Sequence, residues 1–91
     1  MLMSAGINPT LFHILEQKVG KRVLVVIDRY FGFEGVIATV SQDPPGMWLS
    51  DAEAVTLRST LANPLPQVVS REEKSELFIN LSHVLRVEVL H

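Results

Sequence analysis

The stretch Phe33-Glu34-Gly35-Val36-Ile37-Ala38-Thr39-Val40, together with the apolar run Val23-Leu24-Val25-Val26-Ile27 before it, decides how this chain folds. Both runs are rich in β-branched and aromatic residues, which suit a pleated, half-buried surface. The residues between them, Asp28-Arg29-Tyr30-Phe31-Gly32, read as a tight turn. Gly35 is the informative position. A glycine in mid-strand weakens a flat ladder and marks a bulge, a sharp bend or a close backbone approach. A strand bent there curls a small sheet into a barrel.

Working toward the N-terminus, residues 1–7 read as a frayed lead-in. Asn8-Pro9 then starts a helix, because Asn accepts an orphan amide hydrogen bond and Pro at the first helical position has no amide to lose. Leu11, Phe12, Ile14, Leu15 and Val19 follow at spacings of three and four, predicting a helix over about 9–18 with His13, Glu16 and Gln17 toward solvent. Gly20 closes it. One short amphipathic helix is not stable alone, so it must lie across an open end or face of the barrel.

The first strand, 21–28, carries five consecutive aliphatic residues and must therefore be covered on both faces. The second runs over about 33–41. Asp43-Pro44-Pro45-Gly46 is turn chemistry at every position. The third, about 47–57, is expected to send Met47, Leu49, Val55 and Leu57 to one face and Trp48, Ser50, Ala52 and Thr56 to the other. From 58 to 75 the apolar period disappears while Pro64, Pro66 and Arg71-Glu72-Glu73-Lys74 enter, which predicts a long variable loop or an extended hairpin tip. A fourth strand over 76–80 and a fifth over 84–90 follow, joined by Leu81-Ser82-His83, a link short enough for a tight turn or a single 3₁₀ step.

At 91 residues the chain reads as one domain, 1–91, near the lower size limit for a self-sufficient core. A 47% hydrophobic fraction and a mean hydropathy of +0.26 exceed what so small a surface-rich chain needs, which points to apolar surface covered by a partner subunit. There is no cysteine, hence no disulfide framework, zinc ribbon or thiol nucleophile. The net charge of −2 and pI near 5.8 argue against a general electrostatic grip on nucleic acid. No stretch is long and apolar enough for a membrane span, and the N-terminus lacks signal-peptide features. The expectation is a soluble cytoplasmic protein with no membrane association, cofactor or metal.

A helix followed by five strands, the second carrying aromatic-x-Gly and the last two forming a compact pair, resembles the Sm/LSm family. Gly20-Lys21-x-Val23-x-Val25, Phe33-x-Gly35-x-Ile37 and Met47-x-Leu49-x-Asp51-Ala52-Glu53 resemble successive parts of that family's first motif, over about 20–53. Ile79-Asn80-Leu81-Ser82-His83-Val84 sits where the second motif belongs, over about 76–90. The resemblance implies a mainly β fold, a strongly bent five-stranded SH3-like or Sm-like barrel with an N-terminal α-helix. It also implies a homomeric ring of five to seven subunits, in which strand four of one subunit pairs with strand five of the next. Leu77, Phe78, Ile79, Leu85, Val87 and Val89 are then the interface residues. The competing reading is a monomeric barrel whose loops shield its edges.

The family binds uridine with an Asp and an Asn after strand two and an Arg-Gly after strand four. Here Ser41 replaces the Asp, Gly46 lies near the missing Asn, and Asn80-Leu81 replaces Arg-Gly. The resemblance thus implies a ring more strongly than RNA. The candidate RNA-binding residues it leaves are Ser41, Gln42, Asp43, Gly46, Asn80, Leu81, Ser82 and His83, repeated around a pore with single-stranded RNA as the ligand. His83 there offers an imidazole to stack on a base or donate to phosphate.

Other candidates have plainer alternatives. His13 with Glu16 is half a metal site without a second ligand pair, so a solvated helix face is the better reading. Trp48 offers a stacking surface or simple packing, and Tyr30 and Phe31 read as turn packing. Arg29, Lys21, Arg22 and Lys18 are expected to gather into a basic patch near the helix end and the first hairpin. Ser82 and His83 are neighbours without an orienting carboxylate, and no Gly-rich phosphate loop is present, so an enzyme is not expected. The reading is a non-catalytic, ring-forming RNA-binding or ribonucleoprotein scaffold; the alternative is a protein-interaction or structural ring that has lost the nucleotide pocket.

Overall fold

The computed structural model describes residues 8–62 and 64–90. The lead-in expected over residues 1–7 lies outside these. Helix α1 (Pro9–Glu16) begins where Asn8 Oδ1 accepts the amides of Thr10 at 2.9 Å and Leu11 at 3.3 Å. It is two residues shorter than expected, because the chain leaves the helix at Gln17 and turns until Gly20, at φ +90°. The Gly20 amide then donates to the Ile37 carbonyl at 2.8 Å, which seats the end of this segment on the sheet. No helix among the described residues is long and apolar enough to cross a membrane.

Five antiparallel strands follow: β1 (Arg22–Asp28), β2 (Phe31–Ser41), β3 (Gly46–Arg58), β4 (Gln67–Asn80) and β5 (Arg86–Val89). They form one sheet in the order β4-β3-β2-β1-β5, so β4 and β5 are its two edges. The sheet bends where the glycine said it would: the β2–β3 register shifts between Glu34 and Val36. At Gly35 a Cβ would sit 3.1 Å from the Ser50 carbonyl oxygen and 3.2 Å from the Ala52 Cα, so a side chain would push the two strands apart.

Burial of β1 on both faces holds as expected. Val23 and Val25 enter a core with Leu15, Ile37, Met47, Leu49, Ala52 and Ile79, which α1 covers through Leu15 and the half-buried Phe12. Leu24 and Val26 point the other way and pack with Val55 and Leu57.

Three expectations need correction. Ala52 is buried rather than on the outer face of β3, because Asp51 takes φ +50° and the register shifts between Leu49 and Ala52, resetting the alternation. The stretch 58–75 forms an extended hairpin rather than the long variable loop that was the other expectation, and the fourth strand begins before residue 76. β4 starts at Gln67 and pairs with β3 from Arg58 to Gly46, so Arg71-Glu72-Glu73-Lys74 lies in a two-stranded ribbon. Both faces of β4 meet water from Gln67 to Glu76, save the half-buried Val68, which removes the apolar period that would announce a strand. The fifth strand spans only Arg86–Val89, although Leu85 and Leu90 each add an amide bond to β1, at 2.8 Å, onto the carbonyls of Val26 and Arg22. The link before it is the 3₁₀ step Leu81–His83.

Candidate nucleic-acid interface

The turn after β2 and the 3₁₀ step after β4 meet at one end of the sheet. Gly46 pairs with Asn80 in the β3–β4 ladder, and the Leu81 amide donates to the Pro45 carbonyl at 2.9 Å. Gly46 is buried and allows this approach: a Cβ there would run into the Phe78 ring and lie 2.5 Å from the Ile79 carbonyl oxygen. Asn80 caps the step, its Oδ1 accepting from the Ser82 amide at 2.9 Å and the Ser82 hydroxyl at 2.7 Å. The Asn80 side-chain NH2 is the part of that amide left for a ligand.

The eight candidate residues therefore converge but differ in what they offer. Gln42, Asp43, Ser82 and His83 are exposed, while Ser41, Asn80 and Leu81 are half-buried. Leu81 packs against the main core and Gly46 has no side chain, so these two shape the site. Asp43 precedes a cis Asp43-Pro44 bond and places a carboxylate at this end.

The six interface candidates divide the same way. Leu77, Phe78, Val87 and Val89 are half-buried at the sheet edges, and Leu85 is 68% exposed. Ile79 is 5% exposed and belongs to its own core, so what it presents at the β4 edge is backbone. An apolar groove of ≈ 360 Å³ runs between α1 and the β5 edge, lined by Leu11, Ile14, Leu81, Leu85 and Val87 among others. Leu11 and Ile14 remain nearly half exposed in it, so the apolar stripe of α1 is wider than the barrel covers. On the opposite side Trp48 is 46% exposed, its ring 5.5 Å from that of Phe78.

Sequence reasoning missed a charge cluster spanning four strands. Glu34 on β2 is almost buried and takes the Arg22 Nε of β1 at 2.7 Å and the Arg71 Nη1 of β4 at 3.0 Å. Glu53 on β3 also meets Arg71, at 2.9 Å, and Arg22, at 3.3 Å. Burial alone would push the Glu34 carboxyl up, but the two guanidinium hydrogen bonds outweigh it and hold it below the usual carboxylate range. The same bonds from Glu34 raise both arginines. The signal available in sequence was a single Glu inside an otherwise apolar strand.

This cluster also dissolves the expected basic patch. The Arg22 guanidinium is committed to carboxylates, and Arg29 follows the far end of β1, about 26 Å along the strand from Lys21. Lys18 lines the α1–β5 groove instead. His13 and Glu16 form a solvated helix face, 4.0 Å apart and mostly exposed.

No protein-family model and no curated protein sequence matches the chain. Solved structures do. The Pyrococcus abyssii Sm protein in complex with a uridine heptamer is 18% identical with a TM-score of 0.61, over 92% of this chain and 100% of that one. A heptameric archaeal Sm protein is 19% identical with a TM-score of 0.62, over 87% of this chain and 98% of its own. The P.aerophilum SmAP1 heptamer is 20% identical with a TM-score of 0.65, over 93% and 99%. With the bent five-stranded sheet and the helix laid across its core, these matches show that the chain has the Sm fold.

Proposed function

We propose that this chain is a non-catalytic, cytoplasmic scaffold that assembles with copies of itself into a ring of five to seven subunits, and that the ring holds single-stranded RNA at its pore. The observation that carries this reading is the sheet order, which leaves β4 and β5 as opposite edges of one molecule. Two unlike edges on one chain support head-to-tail addition, and a constant rotation closes it. The fold neighbours include two heptamers, and a third was solved with a uridine heptamer. The apolar groove beside β5 and the exposed Leu85 supply surface for the neighbouring β4 edge to cover.

In such a ring the turns at 41–46 and 80–83 recur once per subunit, so weak contacts from Gln42, Asn80, Ser82 and His83 add through avidity. The second reading, a protein-interaction ring without a nucleotide pocket, is favoured by the Asp43 carboxylate at this end and by the Asn80 oxygen already bonded to Ser82. Light scattering followed by a salt titration against oligo-U and oligo-A separates them. Binding that weakens with salt supports the RNA scaffold. A ring that binds neither at low salt supports the second reading.

A further inference from the structure

The two edges of the sheet differ in length: β4 has 14 residues and β5 has 4. Each pairs on one side only, β4 with β3 and β5 with β1, so the far side of each presents unpaired amides and carbonyls. A neighbour's β5 is long enough to cover only the part of β4 next to Asn80, around 76–80. The stretch 67–75 therefore keeps an open edge whether the chain is alone or in a ring, over about 30 Å of strand. Apart from the half-buried Val68, its side chains are exposed.

The charge along this edge is unbalanced. Glu53 and Glu73 are directly opposite in the β3–β4 ladder, an arrangement of like charges that a sheet disfavours. Arg71 takes Glu34 and Glu53, while Arg22 takes Glu34, Glu53 and, at 3.4 Å, Asp51. Four carboxylates thus surround two guanidinium groups, and among the described residues Glu73 alone of the four has no ion pair. Arg22, Asp51, Glu53, Glu73 and Ser75 line a polar cleft of ≈ 250 Å³ at this edge.

We propose that β4 from Gln67 to Ser75 is a docking edge for an extended, basic, proline-free segment of a partner protein, which adds to the sheet as a further strand. Main-chain hydrogen bonds supply the affinity, and a lysine or arginine opposite Glu73 selects the partner. Residues directly opposite in neighbouring strands have Cβ atoms about 4.5–5.5 Å apart, so such a cation reaches Glu73 and the cleft it lines. The same carboxylates turn away acidic segments and nucleic acid. The edge does not involve the pore turns. The ring enters only in fixing where the open stretch ends, and that boundary rests on the assembly proposed above.

The test titrates the full chain against a labelled eight-residue peptide of alternating threonine and valine with two lysines at its centre. Anisotropy reads affinity, hydrogen exchange locates the contact and light scattering follows the assembly. Two control peptides carry glutamates in place of the lysines, or prolines flanking them. The protein variant is Asp51→Asn with Glu73→Gln, both at exposed positions; Asn tolerates the φ of +50° at 51, and circular dichroism verifies the fold. The lysine peptide is expected to bind and to slow exchange over 67–75. Each control peptide binds about tenfold or more weakly, as lost ladder hydrogen bonds or repelled charge dictate. The variant loses about threefold or more, within the range of two exposed ion pairs. Equal binding of the three peptides, an unaffected variant, or no binding of the lysine peptide overturns the proposal. Slowed exchange confined to 76–80 and β5 also overturns it, since the peptide then occupies the ring edges. Protection of 67–75 that grows with protein concentration and needs no peptide gives the edge to a second copy, which overturns it too. A monomeric chain that takes the peptide at 67–75 upholds this edge and removes the ring; a ring that ignores the peptide does the reverse.

Discussion

The Leu81 amide donates to the Pro45 carbonyl at 2.9 Å, so the two turns at the candidate pore end are one unit joined through the main chain. Gly46 makes that junction possible. Gly46→Ala puts a methyl group against the Phe78 ring and the Ile79 carbonyl, both parts of the adjoining strand. The expected cost is about 1–3 kcal/mol, the range for overpacking a tight interior, read as a lower urea midpoint with an unchanged slope. An unaltered midpoint would show that the β3–β4 ladder can open there freely.

Glu34 joins β1 to β4 through Arg22 and Arg71. Glu34→Gln leaves both guanidinium groups without their best acceptor and is expected to destabilise by about 1–3 kcal/mol at neutral pH. That is less than a fully buried pair would show, because Arg22 and Arg71 are 33% and 45% exposed and solvent screens them.

The same residue sets a pH signature. Its folded-state pKa lies below the ordinary value near 4.5, so its contribution is fully present above that value and is lost as pH falls through the folded one. Thermal melts of wild type and Glu34→Gln should therefore differ most at neutral pH and converge in acid below about pH 4.5. A difference that stays constant into acid would remove Glu34 from the account.

Leu85 is 68% exposed beside the β5 edge, where a ring neighbour would cover it. Leu85→Lys should leave the fold intact while the solution mass falls toward the 10.2 kDa of one chain. An unchanged assembly mass would place the contact elsewhere.

Leu49 is fully buried in the main core. Leu49→Ala should cost about 2–5 kcal/mol in chemical denaturation, the range for a cavity at a site with little room to relax.

What the sequence made legible was whatever depends on near neighbours in the chain. Gly35 announced the bend, Asn8-Pro9 the start of α1, and Leu81-Ser82-His83 the 3₁₀ step, because each works within a few residues. The first half of β4 stayed hidden because a strand exposed on both faces has no apolar period to read. The reset of β3 at Asp51 was invisible because a positive φ at aspartate depends on register with β4. The Glu34 cluster was missed because its members lie 12 to 37 positions apart in sequence and meet only once four strands are in register. At the candidate site, the gathering of residues 41–46 with 80–83 followed from the expected barrel. The capture of the Asn80 oxygen by Ser82 did not, since it is a matter of rotamer.

β1 lies between β2 and β5, and Val23 to Val26 are buried on both faces. Its amides should accordingly be the last in the molecule to exchange with solvent, opening only when the whole domain opens. The tip of the β3–β4 hairpin sits at the other extreme, beyond the buried Leu57, with Leu61 and Leu65 exposed. A protease that cuts near the ribbon tip would thus meet a segment that opens by itself, and the nicked chain would keep its barrel.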